Sequence, residues 1–105
     1  MVLQNKIEID NNAIKNNFER LIDQTFKLLP NREEGVDWQK PLETIIVEIT
    51  GMNHLFIGQQ EKFLTLLSKL EGMSELTDEK DFLIFRRMIF ECLNLLTDLE
   101  QSCLA

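Results

Sequence analysis

The sequence predicts an all-α fold, a compact bundle or orthogonal array of about four helices in one domain, residues 1–105. Three observations carry that prediction. Apolar residues recur with the 3.6-residue period of a helix in four successive stretches, 12–29, 41–56, 59–71 and 78–103. Proline or glycine stands at or beside the gaps between them, at Pro30, Gly35, Pro41, Gly58 and Gly72. The one β-branched run, Ile45 to Val47, lies within helical spacing and has no second strand to pair with.

Residues 1–9 alternate weakly, with Val2, Ile7 and Ile9 set between Gln4, Lys6 and Glu8, and read as a loosely packed arm. The first helix follows a run of N-capping residues, Asp10, Asn11 and Asn12, whose side-chain oxygens accept from free first-turn N–H groups. Its inward stripe is Ile14, Phe18, Leu21, Ile22, Thr25, Leu28 and Leu29, and Asp23 stands four residues before Lys27 on the opposite face. Pro30 is expected to stop it, because its ring disfavours helical backbone at Leu29.

The second helix starts at Pro41, a first-turn position where a missing N–H costs nothing. Leu42, Ile45, Ile46, Ile49, Met52 and Phe56 form its stripe; Gly51 weakens it, by about 1 kcal/mol relative to Ala. The third helix carries Phe63, Leu66, Leu67 and Leu70. Gly58 breaks the chain before it, and Gly72 is expected to cap it in a left-handed conformation. Met73 to Thr77 then read as a loop, with Thr77 or Asp78 capping the last helix. Whether residues 51–58 form a bend or a true loop is open at this level.

The last helix is expected to be central. Its polar residues Arg87, Glu91, Asn94, Asp98 and Gln101 occupy one narrow stripe, and almost all else is apolar. Phe82, Phe85, Ile89, Cys92, Leu93, Leu96 and Leu99 suffice for a core face. Ile84, Met88 and Leu95 make a second strip, with Leu83 and Phe90 flanking it. Either the other three helices wrap this one or the second strip meets a partner.

Composition narrows the function. An apolar fraction of 44% argues against disorder. The net charge is −7, from 18 acidic and 11 basic residues, and the bases are scattered. That argues against direct nucleic-acid binding or an anionic membrane as partner. No apolar run approaches the roughly 20 residues that span a bilayer, and the N-terminus lacks a secretory pattern. A cytoplasmic protein is expected; the free use of Asn, Ile and Lys is that of A+T-rich bacterial genomes and their phages.

No constellation points to catalysis, a metal or a cofactor. His54 is the single histidine, with Gly51 three residues before it, so the Glu-x-x-His pairs of a di-metal bundle are missing. Two cysteines and one histidine do not supply a zinc site. Cys92 and Cys103 share a helix face about 16 Å apart along the axis, too far to pair. No E-x-x-E or E-x-x-D cluster, P-loop or nucleophile elbow occurs. The carboxylates Glu71, Glu75, Asp78, Glu79 and Asp81 are explained by the positive end of the last helix dipole.

The sequence therefore predicts a small acidic, non-enzymatic protein that acts through protein–protein interaction, as an adaptor, assembly factor or chaperone-like factor. The expected interface is Leu83, Ile84, Met88, Phe90 and Leu95, with self-association as a homodimer one form of it. Trp38, Arg86 and Arg87 are candidate partner-facing residues. Trp38 reads first as a lid over one end of the core, with the partner-facing role as the alternative; Arg87 is placed to pair with Glu91, and Arg86 with Glu43, Glu48 or another chain. The alternative is an acidic inhibitor that mimics nucleic acid and fills a basic groove on another protein.

Overall fold

Four α-helices and one 3-10 turn make up the architecture of the computed structural model, which describes residues 11–56 and 58–104. They are α1 (Asn11–Glu33), α2 (Gln39–Asn53), α3 (Gln60–Ser74) and α4 (Phe82–Cys103), with the 3-10 turn at Glu79–Asp81. The arm expected at residues 1–9 lies outside the described residues.

Each helix packs on its two neighbours in chain order, and α1 also closes on α4. The backbones of the diagonal pairs, α1 with α3 and α2 with α4, stay apart and face each other across the core. Short connections force successive helices to run antiparallel, so the chain forms an up-down-up-down bundle. Its dimensions, 48 × 22 × 20 Å, fit a two-by-two array of helices packed about 8–10 Å apart. α4 is the most heavily packed helix, yet it has neighbours on two sides and not three.

The predicted stripes converge on one core. Ile14, Phe18, Leu21 and Leu28 of α1 meet Leu42, Ile45 and Ile49 of α2, Phe63, Leu66 and Leu70 of α3, and Phe85, Ile89, Cys92, Leu96 and Leu99 of α4, all buried. Phe56, beyond the end of α2, closes one end. Its ring centroid is 6.4 Å from Phe18 and 6.1 Å from Phe63.

Five helix ends differ from the expectation: the ends of α1, α2 and α3 and the starts of α2 and α4. Pro30 does not stop α1. It sits inside the last turns, where it deprives the Phe26 carbonyl of its helical donor. The helix runs on because the segment beyond Pro30 is anchored at Arg32 and closed by Gly35. Gly35 has φ +74°; its N–H donates to the Arg32 carbonyl and the Val36 N–H donates to the Asn31 carbonyl. That is the bonding pattern of a Schellman cap, with glycine at the left-handed position.

α2 begins at Gln39 and ends at Asn53, three residues before the expected end. The Asp37 carboxylate accepts from the N–H groups of Gln39 and Lys40, so it caps the first turn, and Pro41 lies within that turn. Residues 54–59 connect to α3, with Gly58 at φ +95°. The region is a loop and not a bend.

Gly72 does not cap α3. It lies inside the helix, and Met73, assigned to a loop from sequence, is fully buried in the core. The reason is close packing: a Cβ on Gly72 would stand 3.3 Å from Cε of Met88 on α4. Nor does a side chain cap the start of α4. The Asp78 backbone is extended, the turn Glu79–Asp81 leads into the helix, and the Asp81 N–H donates to the Asp78 carbonyl.

Candidate interaction surface

α4 organises the surface as it does the core, because its four sides meet four different environments. Phe85, Ile89, Cys92, Leu96, Leu99 and Cys103 recur at i, i+4, i+7, i+11, i+14 and i+18 and point inward. One flank faces α3. There Lys69 donates to Glu91 at 3.0 Å, and Lys62 reaches Asp98 at 3.1 Å and the Ser102 hydroxyl at 3.0 Å. Glu91 is thus engaged across helices by Lys69, and not within the helix by Arg87 as the spacing suggested.

The opposite flank faces α1. Phe82 lies there, with the Arg32 guanidinium 5.9 Å from its ring centroid. Arg32 also stands 4.5 Å from the Phe85 ring and 4.7 Å from Trp38, and it donates to the Asp78 carbonyl at 2.8 Å. Trp38 packs edge-on against Phe85 at 4.9 Å. This arginine, held among three aromatic rings, ties the end of α1 to the start of α4. Burial lowers its pKa and the nearby Asp81 carboxylate opposes the shift; the guanidinium remains charged. Trp38, half-buried, covers this end of the core.

The fourth side of α4 looks outward. Leu83, Arg87, Phe90, Asn94, Thr97 and Gln101 recur along it, and all are exposed. Its first half is apolar beyond what the fold uses: Leu83 is 73% exposed and Phe90 42%, while Ile84, 42% exposed, lies one turn before Met88 at the α3-side edge. Met88 and Leu95, from the same expected interface, are half-buried and pack against the core. Met88 does so beside Gly72 on the α3 flank. The structure therefore divides the expected strip, leaving Leu83, Ile84 and Phe90 on the surface.

Arg86 and Arg87 are both exposed beside these residues. The Arg86 guanidinium lies 5.6 Å from the Phe90 ring centroid, within cation–π range. Among the described residues neither arginine has a carboxylate partner. Glu48, one partner considered for Arg86, instead forms a two-pronged pair with Arg20, at 2.8 and 3.1 Å. That contact joins α1 to α2 and raises the Arg20 pKa, chiefly through the hydrogen bond.

Phe26 of α1, 47% exposed, joins this surface and was not singled out from sequence. On α1, Gln24, Lys27 and Asn31 border the cleft shared with α2. Ile22, Phe26, Leu29 and Glu33 recur on the other flank, which is the α4 side. Phe26 lies six residues before Arg32, about 9 Å along the axis, and Phe90 lies five residues after Phe85, about 7.5 Å. Because the helices are antiparallel, both rings come to the same level of the α1–α4 seam. The sequence signal for Phe26 is its position: a large aromatic outside the inward stripe of its own helix.

The reactive side chains lie elsewhere. Cys92 and Cys103 are free and buried. Burial pushes the Cys92 thiol up to about 12 and the Cys103 thiol up to about 11, so both are neutral near pH 7. His54 is exposed at the end of α2. Among the described residues no group of three or more His, Cys, Asp or Glu side chains is placed to hold a metal ion, and no helix is long and apolar enough to cross a membrane. No protein-family model, curated protein or solved structure matches the chain, so its surface is read from geometry alone.

Proposed function

We propose that this protein acts without catalysis, as a small helical module that binds another protein through the outward face of α4. One observation carries the reading. Leu83 and Phe90, with Ile84 at the α3-side edge, stay exposed although the core is already complete on the opposite side of the same helix. Clustered apolar surface of this kind marks an interaction site, and aromatic and arginine side chains are the residue types enriched at such sites. The nucleic-acid mimic has less support. Asp23, Glu48, Asp78, Glu91 and Asp98 each lie within 4.0 Å of a Lys or Arg of this chain, which breaks up the continuous negative surface that mimicry needs.

The test is a double substitution, Leu83→Glu with Phe90→Glu, compared with Val47→Glu on the exposed face of α2. All three positions are exposed, so both proteins should melt within a few degrees of the parent. Affinity capture from native lysate followed by mass determination of the complex should show a partner held by the parent and by Val47→Glu and lost by the double variant. A partner retained by the double variant would remove α4 from the function.

A further inference from the structure

The centre of the docking face, between Leu83 and Phe90, differs in sign from the protein that carries it. The chain bears −7, and that overall field favours a basic partner. Between Leu83 and Phe90 the helix carries Arg86 and Arg87, neither of them within 4.0 Å of a carboxylate among the described residues; Glu91 is held by Lys69, and Glu33 and Glu79 lie at the Arg32 end of the seam. We infer that the occupant of this face is an amphipathic helix of another protein, apolar along one side and bordered by carboxylates. This rests on the reading of α4 as the docking surface and adds the chemistry of the partner.

Three features support it. Leu83 and Phe90 are seven residues apart, about two turns or 10 Å, which matches the apolar spacing of a helix laid alongside α4. Phe26 extends the apolar strip across the α1–α4 seam and gives that helix a shallow trough. Arg86 is exposed with its guanidinium 5.6 Å from the Phe90 ring centroid, which leaves its N–H groups free for a bidentate carboxylate.

The same features disfavour a second copy of the chain. An antiparallel two-fold pairing that lays Leu83 of each copy on Phe90 of the other also lays Arg86 of each against Arg87 of the other. Like charges meet at the centre, and two bodies of −7 approach each other.

The test lets the surface choose. A displayed library of amphipathic helices, with Leu, Ile or Phe at i, i+3 and i+7 and with flanking positions randomised among Glu, Lys and Ser, is selected against the full chain. Glutamate flanks should be enriched about tenfold over lysine flanks, the scale expected of two exposed Arg–carboxylate pairs. The Arg86→Glu, Arg87→Glu double variant should reverse that preference. Lysine enrichment on the parent, as the net field alone would give, overturns the inference and leaves the docking face standing. Peptides whose binding survives Leu83→Glu with Phe90→Glu, or no enrichment at all, overturn the docking face as well. A parent that sediments as a dimer and becomes a monomer in that same double variant assigns the face to a second copy and also overturns the inference.

Discussion

The two opposite faces of α4 begin alike and end differently. In the first half of the helix, Phe85 and Ile89 face inward while Leu83 and Phe90 face outward, and both sides are apolar. In the second half, Leu96, Leu99 and Cys103 still face inward, but Asn94, Thr97 and Gln101 face solvent. Periodicity cannot separate the two faces where both are apolar. Neighbours do: α4 lies beside α1 and α3 with α2 across the core, so its outer side stays open. The lesson is that apolar excess, localised to part of one face, identifies a surface whose purpose lies outside the fold.

The largest effect that would break this contrast is a paired truncation. Phe85 is completely buried and supports both Trp38 and Arg32, so Phe85→Ala should cost about 3–5 kcal/mol of unfolding free energy. Phe90→Ala, on the outward face, should cost under about 1 kcal/mol. Urea titration monitored by Trp38 fluorescence, with circular dichroism beside it, measures both. Similar losses at the two positions would mean that Phe90 belongs to the packed core.

A second prediction sharpens the inner face. The folded chain holds the Cys92 thiol proton to about pH 12, whereas the unfolded chain releases it near the ordinary value of 9.0. Between those values the unfolded state binds fewer protons, so stability is full below pH 9 and declines as pH rises. The slope from Cys92 approaches about 1.4 kcal/mol per pH unit. Cys103, raised to about 11, adds a similar loss up to about pH 10 and levels off first. Denaturation curves at pH 8, 9 and 10 should show the decline, and Cys92→Ala should about halve it. An unchanged slope in that variant would place the thiol in contact with water.

The bundle itself was legible in the sequence, since each helix carries one apolar stripe with a 3.6-residue period and the stripes meet. The helix ends were less so, for a physical reason. Pro30 and Gly72 have local preferences that point to termini, and each was overridden by a contact with a distant segment. Arg32 anchors the turn beyond Pro30 to the Asp78 carbonyl, and Gly72 sits against Met88. Gly35 held the real stop signal. The same limit applies to the surface. Leu83, Ile84 and Phe90 stood out as apolar excess on one helix, but Phe26 becomes their neighbour only when α1 and α4 run antiparallel in this register. Met88 and Leu95 looked equivalent to the exposed residues until α3 was placed beside them.

The smallest expected effect probes the border between the two faces, where Met88 lies against α3. An alanine inside a helix is favoured over glycine by up to about 1 kcal/mol, less near the helix end. Gly51 of α2 has no atom within 4 Å of an added Cβ, so Gly51→Ala should realise most of that gain. At Gly72 the added Cβ would stand 3.3 Å from Met88 Cε, and the thioether must turn outward by a few tenths of an ångström. A Met side chain adapts to such a shift, so Gly72→Ala should be nearly neutral and not strongly destabilising. The difference between the two variants, measured by thermal unfolding under one buffer, reads how firmly α3 holds Met88 inward. Equal stabilisation at both sites would mean that Met88 already leans toward solvent, and the docking face would then run unbroken from Leu83 through Met88 to Leu95. A Gly72→Ala gain that vanishes only while Met88 is present, and returns with Met88→Ala, would fix the border where the structure draws it.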